Sequence, residues 1–239
     1  MSVTATSMLA ATGALPLAQG VTPNNPIIRW SYLTEQSDRI SEALIQHIQL
    51  TVSTVVIGLV ISGLLAAAAL RYRWAVGPIT GTTAFLYTIP SVAFFGVLVP
   101  YTGSSATTAI IPLVCFTLLI LFTNIVDGFR AVPAPVREAA NGMGLSPARR
   151  VFTVELPIAT PYIINGLRIA TVTTVGLVTV AAIIGYGGLG RLILDGLRRA
   201  FWTPLTIGAA LSIILAITLD LAFYLLGRKL TPWARSERV

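Results

Sequence analysis

The sequence predicts an all-α integral membrane protein with five transmembrane helices, and three observations carry that reading. Of its 239 residues 55% are hydrophobic and only 10% charged, with a mean hydropathy of +0.82, which is outside the range of soluble domains. The apolar residues run in unbroken stretches that reach the roughly 20 residues a helical span of the bilayer core requires. Within those stretches polar and apolar residues do not alternate as the strands of a membrane barrel would, so helices must satisfy the backbone in lipid.

In chain order, residues 1–26 contain no charged residue but include Pro16, Pro23 and Pro26. Lacking the basic start of a secretory signal, they are expected to form an extracytoplasmic tail. Over 27–47, Ile27, Trp30, Leu33, Ile40, Leu44 and His47 recur at helical spacing among Glu35, Asp38, Arg39 and Glu42. That pattern predicts an amphipathic helix on the outer membrane interface, with Trp30 and Tyr32 at headgroup depth. The transmembrane domain then occupies 48–227, with spans at about 49–70, 75–99, 106–126, 162–187 and 204–227 and a polar loop at 127–161. Residues 228–239 form a tail.

The first span is rich in small residues, Gly58, Ser62, Gly63 and Ala66 to Ala69, which let helix backbones approach closely in lipid. The second contains Ile89-Pro90-Ser91. A mid-span proline removes a backbone hydrogen bond and kinks the helix, here either as a packing feature or as a hinge. Phe85, Tyr87, Phe94 and Phe95 cluster near it, facing either a pathway through the protein or lipid and core.

The net charge of +7 suggests nucleic acid until the basic residues are placed, because they sit at span ends. Five spans put Arg71, Arg73, Arg130, Arg137, Arg149, Arg150, Arg168, Arg228, Lys229, Arg235 and Arg238 on one side and Arg29, Arg39, Arg191, Arg198 and Arg199 on the other. By the positive-inside rule the first group is cytoplasmic, the N-terminus outside and the C-terminus inside. Cys115 is the only cysteine and reads as a buried, inert thiol.

The loop at 127–161 has its own local chemistry. Pro133 and Pro135 can open a short helix with Glu138 in its first turn, where the helix dipole favours an acid. Gly144 supplies a left-handed C-terminal cap. Ser146-Pro147 reads as the N-cap and first position of a second short helix, which Pro157 and Pro161 are expected to end before the fourth span. Ala139 and Ala140 keep one surface low enough to enter a groove, rimmed by Arg137, Arg149 and Arg150.

Glu138-Ala139-Ala140, Gly144, Val154, Leu156 and Pro157 occupy fixed positions of a known pattern. The stretch resembles the EAA loop of bacterial ABC-importer permeases, with Val154 where isoleucine is usual. Further segments, His47-Ile-Gln-Leu-Thr, Thr88-Ile-Pro-Ser-Val-Ala, Ala181-Ala-Ile-Ile-Gly-Tyr-Gly-Gly-Leu-Gly and Leu226-Gly-Arg-Lys-Leu-Thr-Pro, look like the permeases of osmoprotectant (glycine betaine, carnitine and choline) importers. The resemblance covers roughly residues 40–235. Methionine-importer permeases share the loop and the Gly-Gly-Leu-Gly but match the second span less well.

The resemblance implies a methionine-importer-like permease fold with a cytoplasmic helix–turn–helix coupling loop, in a bacterial plasma membrane. It implies docking onto ATPase subunits through Arg137, Glu138, Ala139, Ala140, Gly144, Ser146, Pro147, Leu156 and Pro157. Tyr87, Pro90, Phe94 and Phe95 become candidates for a pathway or gate. The implied partners are an ABC ATP-binding subunit dimer, a second permease chain (the same or related) and an extracytoplasmic solute-binding protein. ATP and Mg would be bound by the ATPases, leaving no cofactor, metal or catalytic residue in this chain. The cargo is a compatible solute or, alternatively, an amino acid such as methionine.

Other signals point elsewhere and fail on context. Gly185, Gly187 and Gly190 spell a dinucleotide fingerprint, but they end an apolar span and follow no strand. No phosphate-binding P-loop sequence occurs. His47, the single histidine, is expected at the interface. Asp220 is the one acid within a span, and an intramembrane carboxylate raises a functional hypothesis. It is either a proton relay or cation contact, or a structural partner for Arg168; ATP-driven transport favours the second.

Overall fold

The computed structural model describes residues 26–232, so residues 1–25 of the expected tail and 233–239 of the C-terminal tail lie outside the described residues. A short helix α1 (Trp30–Glu35) leads into α2 (Ser37–Arg71). The expected division between an interfacial helix and a first span is absent. Between Ser37 and Arg71 there is no proline, and the first glycine is Gly58, so nothing interrupts the backbone ladder. At 35 residues α2 is about 52 Å long, well beyond the roughly 30 Å hydrocarbon core. Tyr32 is turned into the protein, edge-on to Phe201 at 5.5 Å.

A 3₁₀ turn, Arg73–Ala75, precedes α3 (Val76–Thr88) and α4 (Ser91–Thr102). Here a single kinked span was expected, and the structure shows a full break of 89°. Pro90 lacks an N–H, and the residue before a proline is driven out of the helical region. Ile89 and Pro90 are accordingly both extended, with ψ of 126° and 125°.

The long helices that follow are α5 (Ala106–Arg130), α8 (Leu156–Val180) and α10 (Trp202–Leu230). Among the described residues four helical stretches are individually long and apolar enough to cross a membrane, and the bent pair qualifies jointly. Packing shows what the pair does. Leu50 clusters with Ala109 and Leu113, and Ala66 and Ala69 with Phe122, Ile125 and Phe129, so α2 and α5 run parallel. The chain must therefore return across the bundle between them. Phe95 of α4 lies in the Leu50–Ala109 cluster and Val76 of α3 in the Phe129 cluster, so α3 and α4 together make that return.

α5 and α8 are antiparallel, as are α8 and α10, where Arg168 meets Asp220 and Ile164 meets Gly227. The bundle thus has five crossings, with the loop after α5 on the same face as the end of α10. Small residues make its seams. A Cβ on Gly58 would lie 2.2 Å from Thr117 Oγ1, and one on Gly166 2.7 Å from Asn124 Cβ, contacts that only glycine permits. Lipid tails give helices no hydrophobic reason to associate, so such close approach supplies the packing energy.

The loop side contains α6 (Ala134–Gly142), α7 (Pro147–Arg150) and a π-helical stretch, Val151–Glu155, that runs directly into α8. Pro157 and Pro161 were expected to end the second short helix before the fourth span, but both lie inside α8. A π turn bonds five residues back, as Leu156 N–H does to Val151 O. Pro157 then falls in the first turn of α8, where a missing N–H is tolerated. On the far side α8 ends in a 3₁₀ turn (Ala181–Ile184), and a glycine loop leads to α9 (Leu189–Arg198), a helix the sequence reading did not identify.

Candidate functional site

The loop between α5 and α8 is a compact turn of helices held by one carboxylate. Pro133, extended, caps α6, and Pro135 stands in its first turn. Because the helix starts at Ala134, Glu138 lies in the second turn and not the first. At the other end Gly144 has φ +74°. Its N–H donates to Asn141 O at 2.9 Å, and the Leu145 N–H donates to Ala140 O at 3.2 Å. These paired bonds form a Schellman cap, which needs the left-handed residue that glycine provides without strain. Ser146 then caps α7, its Oγ accepting from the Arg149 N–H at 3.4 Å with Pro147 next in line.

Glu155 binds the pieces together. It is 6% exposed, and its Oε1 accepts from Arg150 Nε at 2.8 Å and lies 3.4 Å from Arg137 Nε. Arg137 also donates to Phe129 O at the end of α5, and Arg150 donates to Asn141 Oδ1 at 2.7 Å. One buried carboxylate thus links α5, α6, α7 and the start of α8. The expected rim of Arg137, Arg149 and Arg150 is not formed, since two of the three guanidiniums turn inward to Glu155 and only Arg149 is exposed. Ala140 does not face outward either; it is 0% exposed. Leu156 and Pro157 are half-buried at the start of α8.

Of the residues expected to dock, Glu138, Ala139, Gly144, Ser146 and Pro147 are exposed, as are Arg149 and two large apolar residues the sequence reading passed over. Met143 is 71% and Phe152 68% exposed. Large apolar side chains standing out of a polar loop were the available signal.

Around Pro90, Tyr87 and Phe94 both stand edge-on to Phe116 with centroids 6.1 Å apart. Phe116 was not singled out, because it is distant in sequence. Tyr87 and Pro90 are exposed on the chain's surface and Phe94 is half-buried. Phe95 leaves the set of pathway candidates: at 1% exposure it is a core residue among Leu50, Ala109 and Leu113.

Asp220 accepts two hydrogen bonds from Arg168, from Nε and one Nη, each 2.8 Å. A fork of this kind matches guanidinium to carboxylate geometry and neutralises both charges. His47, expected at the interface, is instead fully buried, with Nε2 3.1 Å from Val175 O. The glycine loop explains why. Gln46 Oε1 accepts from the Gly188 N–H at 3.0 Å, and a Cβ on Gly188 would lie 2.7 Å from His47, so the loop seals the histidine from above. A Cβ on Gly187 would likewise lie 2.2 Å from the Ala182 nitrogen, and one on Gly190 2.3 Å from the Thr179 carbonyl oxygen. Among the described residues no three His, Cys, Asp or Glu side chains are grouped to hold a metal.

Relatives and solved structures agree with this architecture. The chain is 32% identical over 206 residues to the osmoprotectant import permease protein OsmW of Salmonella typhimurium LT2, covering 84% of this chain and 96% of that one. It is 34% identical over 188 residues to the choline transport system permease protein OpuBB of Bacillus subtilis 168, covering 78% and 86%. Against OpuCB of the same bacterium, a glycine betaine/carnitine/choline transport system permease protein, identity is 31% over 78% of this chain and 86% of that one. In fold it matches a chain of the inward-facing MetNI methionine ABC transporter with a TM-score of 0.65 at 22% identity, over 85% of this chain and 100% of that one. A chain from a crystal structure of an amino acid ABC transporter with histidines matches with a TM-score of 0.70 at 18% identity, over 84% and 99%. Residues 47–232 match the binding-protein-dependent transport system inner membrane component family, and the chain belongs to that family.

Proposed function

We propose that this chain is the permease subunit of an ATP-driven importer for compatible solutes such as glycine betaine, choline or carnitine. The observation that carries the coupling half of this reading is the Glu155 clamp. It fixes the loop rigidly to the ends of α5 and α8, so a push on the loop is a push on two crossings. Glu138, Ala139, Met143 and Phe152 are the surface offered to a groove on an ATP-binding subunit, which supplies ATP and Mg. The arginine-rich face is cytoplasmic and the N-terminus lies outside. Two permease chains enclose the pathway, an extracytoplasmic binding protein delivers the solute, and nucleotide-driven closure of the ATPases alternates access.

The solute class rests on the relatives. They are permeases for osmoprotectants, for choline and for glycine betaine, carnitine and choline, whereas the amino-acid transporters resemble the chain in fold alone, at 18–22% identity. A quaternary ammonium cannot donate hydrogen bonds and is attracted to aromatic faces. Tyr87 and Phe94, held edge-on by Phe116, offer a loose aromatic surface suited to passing such a cation on, with the selective site on the binding protein. The docking reading is tested by copurification of the ATP-binding subunits. Met143→Asp with Phe152→Asp is expected to abolish copurification while the permease inserts normally. Retention at the wild-type level contradicts it.

A further inference from the structure

At the loop face, between the last turns of α2, the start of α3, the end of α5 and the π-helical stretch, lies a cavity of about 800 Å³. Its two ends differ in chemistry. The deep end is apolar and built on small side chains, with Leu59, Gly63 and Ala67 of α2 facing Ile125 and Ile163. The mouth is lined by Arg71, Arg73, Arg130, Arg137 and Arg150, with Glu155 the only carboxylate there among the described residues. Arg137 and Arg150 already share that carboxylate, and Arg71 lies over the ring of Tyr72. Arg73 and Arg130 are exposed and have no ion pair or hydrogen bond among the described residues.

Five guanidiniums against one carboxylate make a site for an anionic group. Its dimensions narrow the anion further. From Leu59 to Arg71 α2 rises about 18 Å, close to one leaflet of a hydrocarbon core about 30 Å thick. A slot of leaflet depth, apolar inside and basic at the surface, fits a molecule with an anionic head and a long hydrocarbon tail. Trp74 and Tyr72 beside the mouth, 77% and 54% exposed, are side chains that favour headgroup depth. Basic pockets between helices on the cytoplasmic side are a recurrent form of anionic lipid site.

We infer that this cavity binds an anionic phospholipid of the cytoplasmic leaflet, its phosphate on Arg73 and Arg130 and one acyl chain along the wall from Leu59 to Ala67. The assignment rests on the orientation proposed above. Because Arg137 and Arg150 line the same cavity and hold Glu155, the bound lipid stands beside the clamp that stiffens the loop.

Native mass spectrometry of the purified full chain, given phosphatidylglycerol or phosphatidylcholine with identical acyl chains, tests the site without ATPase or solute. Its failure is therefore separable from failure of the transport reading. Preferential retention of phosphatidylglycerol is expected. Arg73→Gln with Arg130→Gln should weaken it about thirtyfold, since each basic residue near an anionic surface contributes roughly fivefold. Ala67→Trp, which fills the slot and leaves every charge in place, should weaken it as well. Equal retention of the two lipids, or wild-type retention by either variant, overturns the site. Displacement by soluble glycerol phosphate would assign it to a free phosphate, and displacement by the ATP-binding subunits would assign the arginines to docking; either result refutes the lipid assignment.

Discussion

Replacing Glu155 with glutamine should loosen the loop without disturbing the crossings. The carboxylate is 6% exposed and serves two guanidiniums, at 2.8 and 3.4 Å. Removing one partner of a fully buried ion pair costs roughly 3–5 kcal/mol, whereas an exposed pair contributes about 1 kcal/mol or less. The Arg137 and Arg150 side chains are 35% and 26% exposed, so both can regain water, and glutamine keeps an acceptor. The cost should therefore fall between those limits, at about 2 kcal/mol. It is local, because Glu155 joins the loop to the ends of α5 and α8 through Arg137 and Arg150. At 1.4 kcal/mol per factor of ten, opening of residues 134–155 becomes about thirtyfold more frequent. Hydrogen exchange followed by mass spectrometry reads this directly, with peptides from the crossings as internal reference. Glu138→Gln is the control: Glu138 is exposed and forms no ion pair among the described residues, so exchange should stay within about twofold of wild type. Unchanged exchange in Glu155→Gln, or equal loosening by both variants, would refute the clamp.

Gly144→Val forces a β-branched residue to φ +74°, a strain on the order of 1–3 kcal/mol; the variant should insert normally but lose solute-stimulated ATP hydrolysis, and normal uptake would contradict the reading of the loop. In a Cys115→Ser background, cysteines at Ser37 and Ser146 should differ toward an impermeant thiol reagent on intact cells, with label at 37 only. Strong label at 146 would reverse the proposed orientation. Asp220→Asn leaves Arg168 unneutralised between spans, at a cost of about 2–3 kcal/mol, seen as a lower melting temperature in detergent. Arg168→Leu with Asp220→Leu should recover most of that loss, and full activity of the double variant would exclude a proton-relay role.

The fold class was legible because lipid imposes one rule on the whole chain: apolar stretches of spanning length must be helical. Places where the backbone departs from that rule were harder to read. Proline 90 signalled a perturbation, but its depth depended on Ile89 also becoming extended, which turned a kink into an 89° break. Pro157 and Pro161 looked like terminators because nothing local announces the π turn that carries the chain past them. Gly144 and Ser146 act through bonds to residues within a few positions, so their geometry follows from sequence spacing. Glu155 does not, because its partners Arg137 and Arg150 meet it only after α6 and α7 have folded back. His47 was misplaced for a similar reason. Its burial comes from Val175 and the Gly188 loop, both more than 120 residues away. The aromatic pair Tyr87 and Phe94 likewise acquires its arrangement from Phe116 on another helix.

Uptake of labelled glycine betaine or choline into proteoliposomes bears most directly on the central claim. The vesicles would contain this chain and the ATP-binding subunits, with and without the solute-binding protein. Uptake is expected only when binding protein and hydrolysable ATP are both present, with unlabelled betaine, choline or carnitine competing and methionine not. Robust uptake by the permease alone, or uptake driven by a proton gradient and abolished by loss of Asp220, would contradict an ATP-driven importer. Competition by methionine alone would contradict the solute class.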